Sequence, residues 1–96
     1  MNAALEADRR LMILRLLAEA PDYRANTYLL ASALSSMGHA VGADRLRTDL
    51  AWLDEQGLVA RETVGGIAIA RLSERGADVA AGRAVTPGVR RPTPGE

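Results

Sequence analysis

Cysteine is missing from this chain. Its absence excludes disulfide staples and every cysteine-ligated zinc or iron–sulfur site, so the core must hold through aliphatic packing alone or with a partner subunit. Lysine is missing too: all twelve basic residues are arginine, which together with abundant alanine resembles codon bias in a GC-rich genome more than a functional choice. The single histidine makes no metal site and serves no convincing nucleophilic set, no GxxxxGK[ST] phosphate loop occurs, and no carboxylate pair sits in an evident cleft. Neither an enzyme nor a cofactor is expected. Long apolar runs are lacking as well: nothing approaches the roughly 18 residues of a membrane span, and Glu6 and Asp8 stand where a signal peptide would be basic. The expected location is cytoplasmic, without membrane contact.

Excess charge of one sign is also absent, the formal net charge being zero. It is unevenly placed. Arg83, Arg90 and Arg91 against Glu96 give residues 83–96 a formal +2, leaving −2 on residues 1–82. Strong DNA binders carry a basic excess because phosphate neutralisation supplies much of their affinity, so this distribution weighs against a simple DNA-binding reading. With 96 residues the chain has room for one small domain that buries about 60% of its unfolded surface.

Along the chain, the apolar residues from Leu5 to Leu17 predict a helix over Ala3 to Ala20, ended by Pro21. Its last two turns are apolar on more than one face, which favours burial against the same helix of a second chain; cover by the wing and last helix is the alternative. Asp22 to Ala25 reads as a connector. Asn26 or Thr27 caps a second helix to about Met37, with Leu29, Leu30, Ala33 and Leu34 inward and Gly38 as its stop. After a turn over residues 38–42, Leu46, Leu50 and Leu53 recur at the i, i+4, i+7 spacing of one helix face. That stripe leaves Arg45, Thr48 and Trp52 on another face, with Arg47 and Ala51 at its edge. Val59–Val64 and Ile67–Leu72 flank Gly65-Gly66, two residues suited to a type I′ turn; either side of this hairpin could face the core. Ser73 caps a last helix to about Ala81. Residues 83–96, with three prolines and three arginines, are expected to be disordered.

The run Leu46-Arg47-Thr48-Asp49-Leu50, followed by Asp54-Glu55-Gln56-Gly57-Leu58-Val59, resembles the recognition helix of DeoR-type and arginine-repressor-type winged helices. The whole chain, through Leu14-Arg15-Leu16-Leu17-Ala18-Glu19-Ala20-Pro21, Arg47-Thr48-Asp49-Leu50-Ala51-Trp52-Leu53 and Ala80-Ala81-Gly82-Arg83, is similar to small winged-helix proteins of Mu-like transposable phages and prophages, which are labelled ArsR-like. The metal sensing of ArsR-type proteins does not carry over without cysteine. The expected fold is mainly α with a small β-hairpin, a winged helix-turn-helix with a three-helix core, a two-stranded wing and a short C-terminal helix, over residues 1–82, followed by a disordered tail over 83–96.

Six residues are the candidate DNA contacts: Arg45, Arg47, Thr48, Trp52, Arg61 and Arg71. The arginines suit phosphate, and a bidentate guanine contact from Arg45 or Arg47 would be worth about 1–3 kcal/mol of discrimination. Each has a plainer reading: Arg45 as an i, i+4 partner of Asp49, Trp52 as packing under the wing, Arg61 and Arg71 as solvated hairpin charges. Asp49 reads as structural and His39 as an exposed turn residue. Two functions remain open. In one, a homodimer formed through the first helix presents two recognition helices to double-stranded DNA, half-sites about 34 Å apart, as a phage or prophage transcription regulator or accessory factor in the host cytoplasm. In the other, the winged helix is a protein-interaction module of phage head assembly or DNA packaging, its tail folding onto a partner.

Overall fold

Four helices and a three-stranded antiparallel sheet make up the structure, a computed structural model that describes residues 2–96. Helix α1 (Ala3–Glu19) begins at Asn2, whose side chain accepts hydrogen bonds from the backbone N–H groups of Ala4 and Leu5. It stops before Pro21, where a 3₁₀ turn (Pro21–Tyr23) reverses the chain into strand β1 (Arg24–Asn26). Asn26 then caps α2 (Thr27–Ser36), accepting from the Leu29 N–H at 2.8 Å. After the turn come α3 (Ala43–Glu55), the hairpin strands β2 (Val59–Val64) and β3 (Ile67–Leu72), and α4 (Glu74–Ala80).

The hairpin has the register that its turn dictates: Gly65 and Gly66 both adopt positive φ, and Val64 pairs with Ile67 through to Val59 with Leu72. Val59, Ala70 and Leu72 are buried, so the side carrying Val59, Arg61, Thr63, Ala68, Ala70 and Leu72 is the one turned inward. One strand escapes the sequence reading. The connector contains β1, which pairs Arg24 with Arg71, Ala25 with Ala70 and Asn26 with Ile69, making β3 the central strand. Asp22 and Tyr23 reach that position through left-handed φ values of 57° and 58°, a conformation costing L residues roughly 1–2 kcal/mol each and offset here by the β1–β3 pairing.

Leu11, Ile13, Leu14 and Leu17 from α1 meet Leu30 and Leu34 from α2 and Leu46, Leu50 and Leu53 from α3, closed by Leu58 and Val79. At about 1.5–3 kcal/mol for each fully buried leucine, this cluster dominates stability. Gly76 brings α4 onto it: a Cβ there would overlap the Leu58 carbonyl oxygen and press on Leu72. Gly76→Ala is therefore expected to cost about 1–3 kcal/mol through overpacking, read as a lower midpoint in urea unfolding at unchanged m.

Two expectations, on Leu29 and His39, need correction. Leu29, placed inward by its spacing, is 62% exposed beside Tyr28, because only Leu30 and Leu34 fall on the stripe that faces α1. Apolar sides of α1 beyond its main stripe meet α4 and residues 84–89 within the chain, with Val89 buried, the alternative to burial against a second chain. Residues 83–96, expected to be a disordered tail, form no helix or strand and lie against α1 and Trp52. His39 is buried, not exposed. Among the described residues no helix is long and apolar enough to cross a membrane.

Candidate functional site

Helix α3 has two chemically different sides. Leu46, Asp49, Leu50 and Leu53 point inward, while Asp44, Arg47, Thr48 and Glu55 are exposed. Thr48 therefore stands near the centre of the open face, with Arg47 at its edge toward the hairpin. Arg45 and Trp52, expected there with Thr48, lie half-buried on the flank toward α1. The Arg45 guanidinium donates to Glu6 Oε2 at 3.2 Å instead of pairing with Asp49. At about 100° per residue the side opposite the core stripe of Leu46, Asp49, Leu50 and Leu53 falls on Asp44, Thr48, Ala51 and Glu55, with Arg47 and Trp52 on its two flanks; Trp52 is half-buried because Arg10 and Gly88 lie against it.

Between this face and the hairpin runs an open groove of about 280 Å³, lined by Thr27, Arg47, Leu50, Asp54, Arg61, Glu62, Thr63, Ala68 and Ile69. Two of the six candidate residues meet in it, Arg47 from α3 and Arg61 from β2, with Thr48 beside them on α3. Arg71 does not: it stands on the other side of the sheet, opposite Arg24 across the β1–β3 ladder. The groove is charged but balanced. Arg47 is paired with Asp44 on its own helix, and Arg61 Nε donates to Asp54 Oδ2 at 3.0 Å. Asp54, near the C-terminal end of α3, is thus a groove residue. Gly57 turns the chain back so that the seven-residue separation from Arg61 closes. Thr48 Oγ donates to the Asp44 carbonyl at 3.0 Å, leaving its oxygen able to accept.

The inner side of α3 is fixed by a buried ion pair. Asp49 is 1% exposed and accepts from Arg9 Nε at 2.5 Å and Arg9 Nη2 at 3.4 Å, with Arg10 Nε 3.6 Å away. Arg10 stacks over Trp52, its guanidinium carbon 4.0 Å from the ring centroid, and donates to the Gly88 carbonyl at 3.1 Å. Asp49 is structural, as its chemistry suggests, but its partners are on α1; arginines there look like ordinary surface charges in sequence.

Asp8 forms a second junction, between His39 Nε2 at 2.6 Å and Arg90 Nε at 2.6 Å. Burial pushes the Asp8 carboxyl up, but the hydrogen bonds from His39 and Arg90 outweigh it and hold its pKa below the ordinary value. Arg90 also grips Glu96. That hydrogen bond, with the Thr93 N–H, lowers Glu96 to about 2, and the two carboxylates in turn raise Arg90. Among the described residues no cluster of His, Asp and Glu is disposed to hold a metal ion.

Comparison with known proteins places the chain among phage sequences. Protein gp26 of Escherichia phage Mu is 44% identical over 94 residues, covering 98% of this chain and 97% of the phage protein. A protein of Haemophilus influenzae is 41% identical over 69 residues, covering 71% of this chain and 67% of that protein. No family model and no solved structure matches the chain.

Proposed function

The chain belongs to the family of the Mu protein gp26, and from that phage origin we propose that it is a DNA-binding protein of winged-helix type. In this reading α2 and α3 are the helix-turn-helix, α3 is the recognition helix, and β2 and β3 are the wing. The observation that carries it is the exposed Arg47–Thr48 face of α3, with Arg61 of the hairpin across the groove. An exposed α-helix suits a major groove, where arginine reads guanine and a hydroxyl accepts or donates to any base. With the sides of α1 closed, one α3 and one wing serve a single short site. Few phosphates are neutralised, so affinity is modest and a role as regulator or accessory factor depends on local concentration.

The pairing of Arg45, Arg47 and Arg61 with carboxylates favours a second reading, a protein-interaction module of phage head assembly or DNA packaging. Sequencing of host and phage DNA fragments retained by the purified protein at low salt separates the two. Wild-type protein is expected to enrich a short common sequence, and an Arg47→Gln/Arg61→Gln variant of unchanged circular dichroism to lose it by roughly 10- to 100-fold, on the scale of one or two lost base or phosphate contacts. No enrichment, or enrichment indifferent to the double change, would overturn the DNA reading in favour of the protein partner.

A further inference from the structure

Residues 85–96 are held to the body by an unusual balance of contacts. Only Thr86 and Val89 are buried among them, and only one backbone hydrogen bond joins them to the helices, from the Arg90 N–H to the Ala7 carbonyl at 3.1 Å. The rest is side-chain chemistry: Arg90 with Asp8 and Glu96, Glu96 with Arg15 at 3.2 Å, and Arg75 Nη2 donating to Thr86 Oγ at 3.4 Å. With one buried valine, and with half-exposed ion pairs that contribute at most about 1 kcal/mol each, the segment is held far more weakly than the leucine cluster of the helices, in the range of local opening that leaves the rest of a domain folded.

Its seat is not neutral ground. Gly88 lies flat on the Trp52 indole, where a Cβ would come within 2.7 Å of Cζ2, and adopts φ +98°; its carbonyl holds the same Arg10 that stacks on Trp52 and approaches Asp49. Arg90 shares Asp8 with His39, which belongs to the turn leading into α3. The segment therefore touches both the flank of α3 and the junction that fixes its N-terminal approach.

We propose that residues 85–96 are a displaceable strap, which when seated braces α3 through Gly88 on Trp52 and Arg90 on Asp8, and when released uncovers the α1–α3 flank without unfolding the domain. The strap is a conformational device independent of what α3 binds. When the strap leaves, Asp8 keeps only His39 as a partner and the uncovered flank gains negative charge, while the loose segment carries Arg90, Arg91 and Glu96.

The sole tryptophan reports directly on the strap. In full-length Gly88→Val, whose side chain cannot fit on the indole, and separately in Arg90→Ala, Trp52 emission is expected to shift to the red and its acrylamide quenching to rise roughly twofold or more, with helical circular dichroism retained. In the wild type, the Arg90 amide is expected to exchange hydrogen roughly 100-fold faster than the Leu14 amide, as sub-global opening requires. Trp52 as shielded in both variants as in the wild type would show that the segment does not sit there. Loss of helix in both, or exchange of Arg90 only with global unfolding, would show that it is an integral part of the core; either result overturns the proposal.

Discussion

Asp49→Ala is expected to destabilise the protein by about 3–5 kcal/mol, the range for stripping one partner from a buried ion pair. The size follows from what would remain. Arg9, only 6% exposed, would keep its charge with no carboxylate to receive Nε and Nη2, and Arg10 would lose the nearest opposite charge. Asp49→Asn keeps the shape but not the charge and belongs in the same range. Replacing both partners, as in Arg9→Met/Asp49→Leu, should recover most of the loss, since an apolar pair of similar volume is often neutral to folding. Urea unfolding of the three variants checks this. Asp49→Ala within 1 kcal/mol of wild type would mean that Arg9 and Asp49 are not paired in solution.

The second large effect is a gain. If α3 reads DNA as proposed, Asp44→Asn/Asp54→Asn is expected to raise affinity for the enriched sequence by roughly tenfold or more at low salt, and to steepen the dependence of log affinity on log salt by about 2. In the folded protein Asp44 and Asp54 hold the two cations that line the groove, so phosphate must compete with carboxylate for each. Freeing both adds two neutralising charges, each contributing about 0.9 to the salt slope, and removes two repelling ones. The gain has a cost in selectivity, because phosphate contacts carry no sequence information. Fluorescence anisotropy with the enriched sequence and a scrambled duplex, over a salt series, measures both effects. If the protein-partner reading is right, the wild type binds neither duplex and the variant gains both equally.

Much of the architecture could be read directly from residue spacing, for identifiable reasons. Asn26 and Ser73 supply short oxygens where helices need acceptors, Pro21 ends α1, and Gly65-Gly66 fixes the hairpin register to the residue. These are local rules. The failures all involve partners distant in sequence. β1 is only three residues long and takes its identity from β3, some 45 positions away. His39 is buried because Asp8 is there to receive it. Residues 83–96 have the composition of a disordered tail, but one valine, one glycine against an indole and one arginine between two carboxylates place them. At the candidate site, Arg47, Thr48 and Arg61 were legible as types at positions. That Arg45 and Trp52 turn toward α1, and that Arg71 stands across the sheet, depended on the exact phase of α3 and on which side of the hairpin is buried.

The strand order β1–β3–β2 places β2 on the outside of the sheet, where a six-residue strand offers a row of backbone groups to any extended chain that drifts near. Natural sheets guard such edges with charge, and here the guards are Arg61 and Glu62, with Val64 at the tip 53% exposed. Arg61 thus has a second duty as a gatekeeper against strand-to-strand aggregation. A substitution that makes position 61 apolar would alter colloidal behaviour along with groove chemistry, whereas glutamine keeps the edge polar and isolates the loss of the guanidinium.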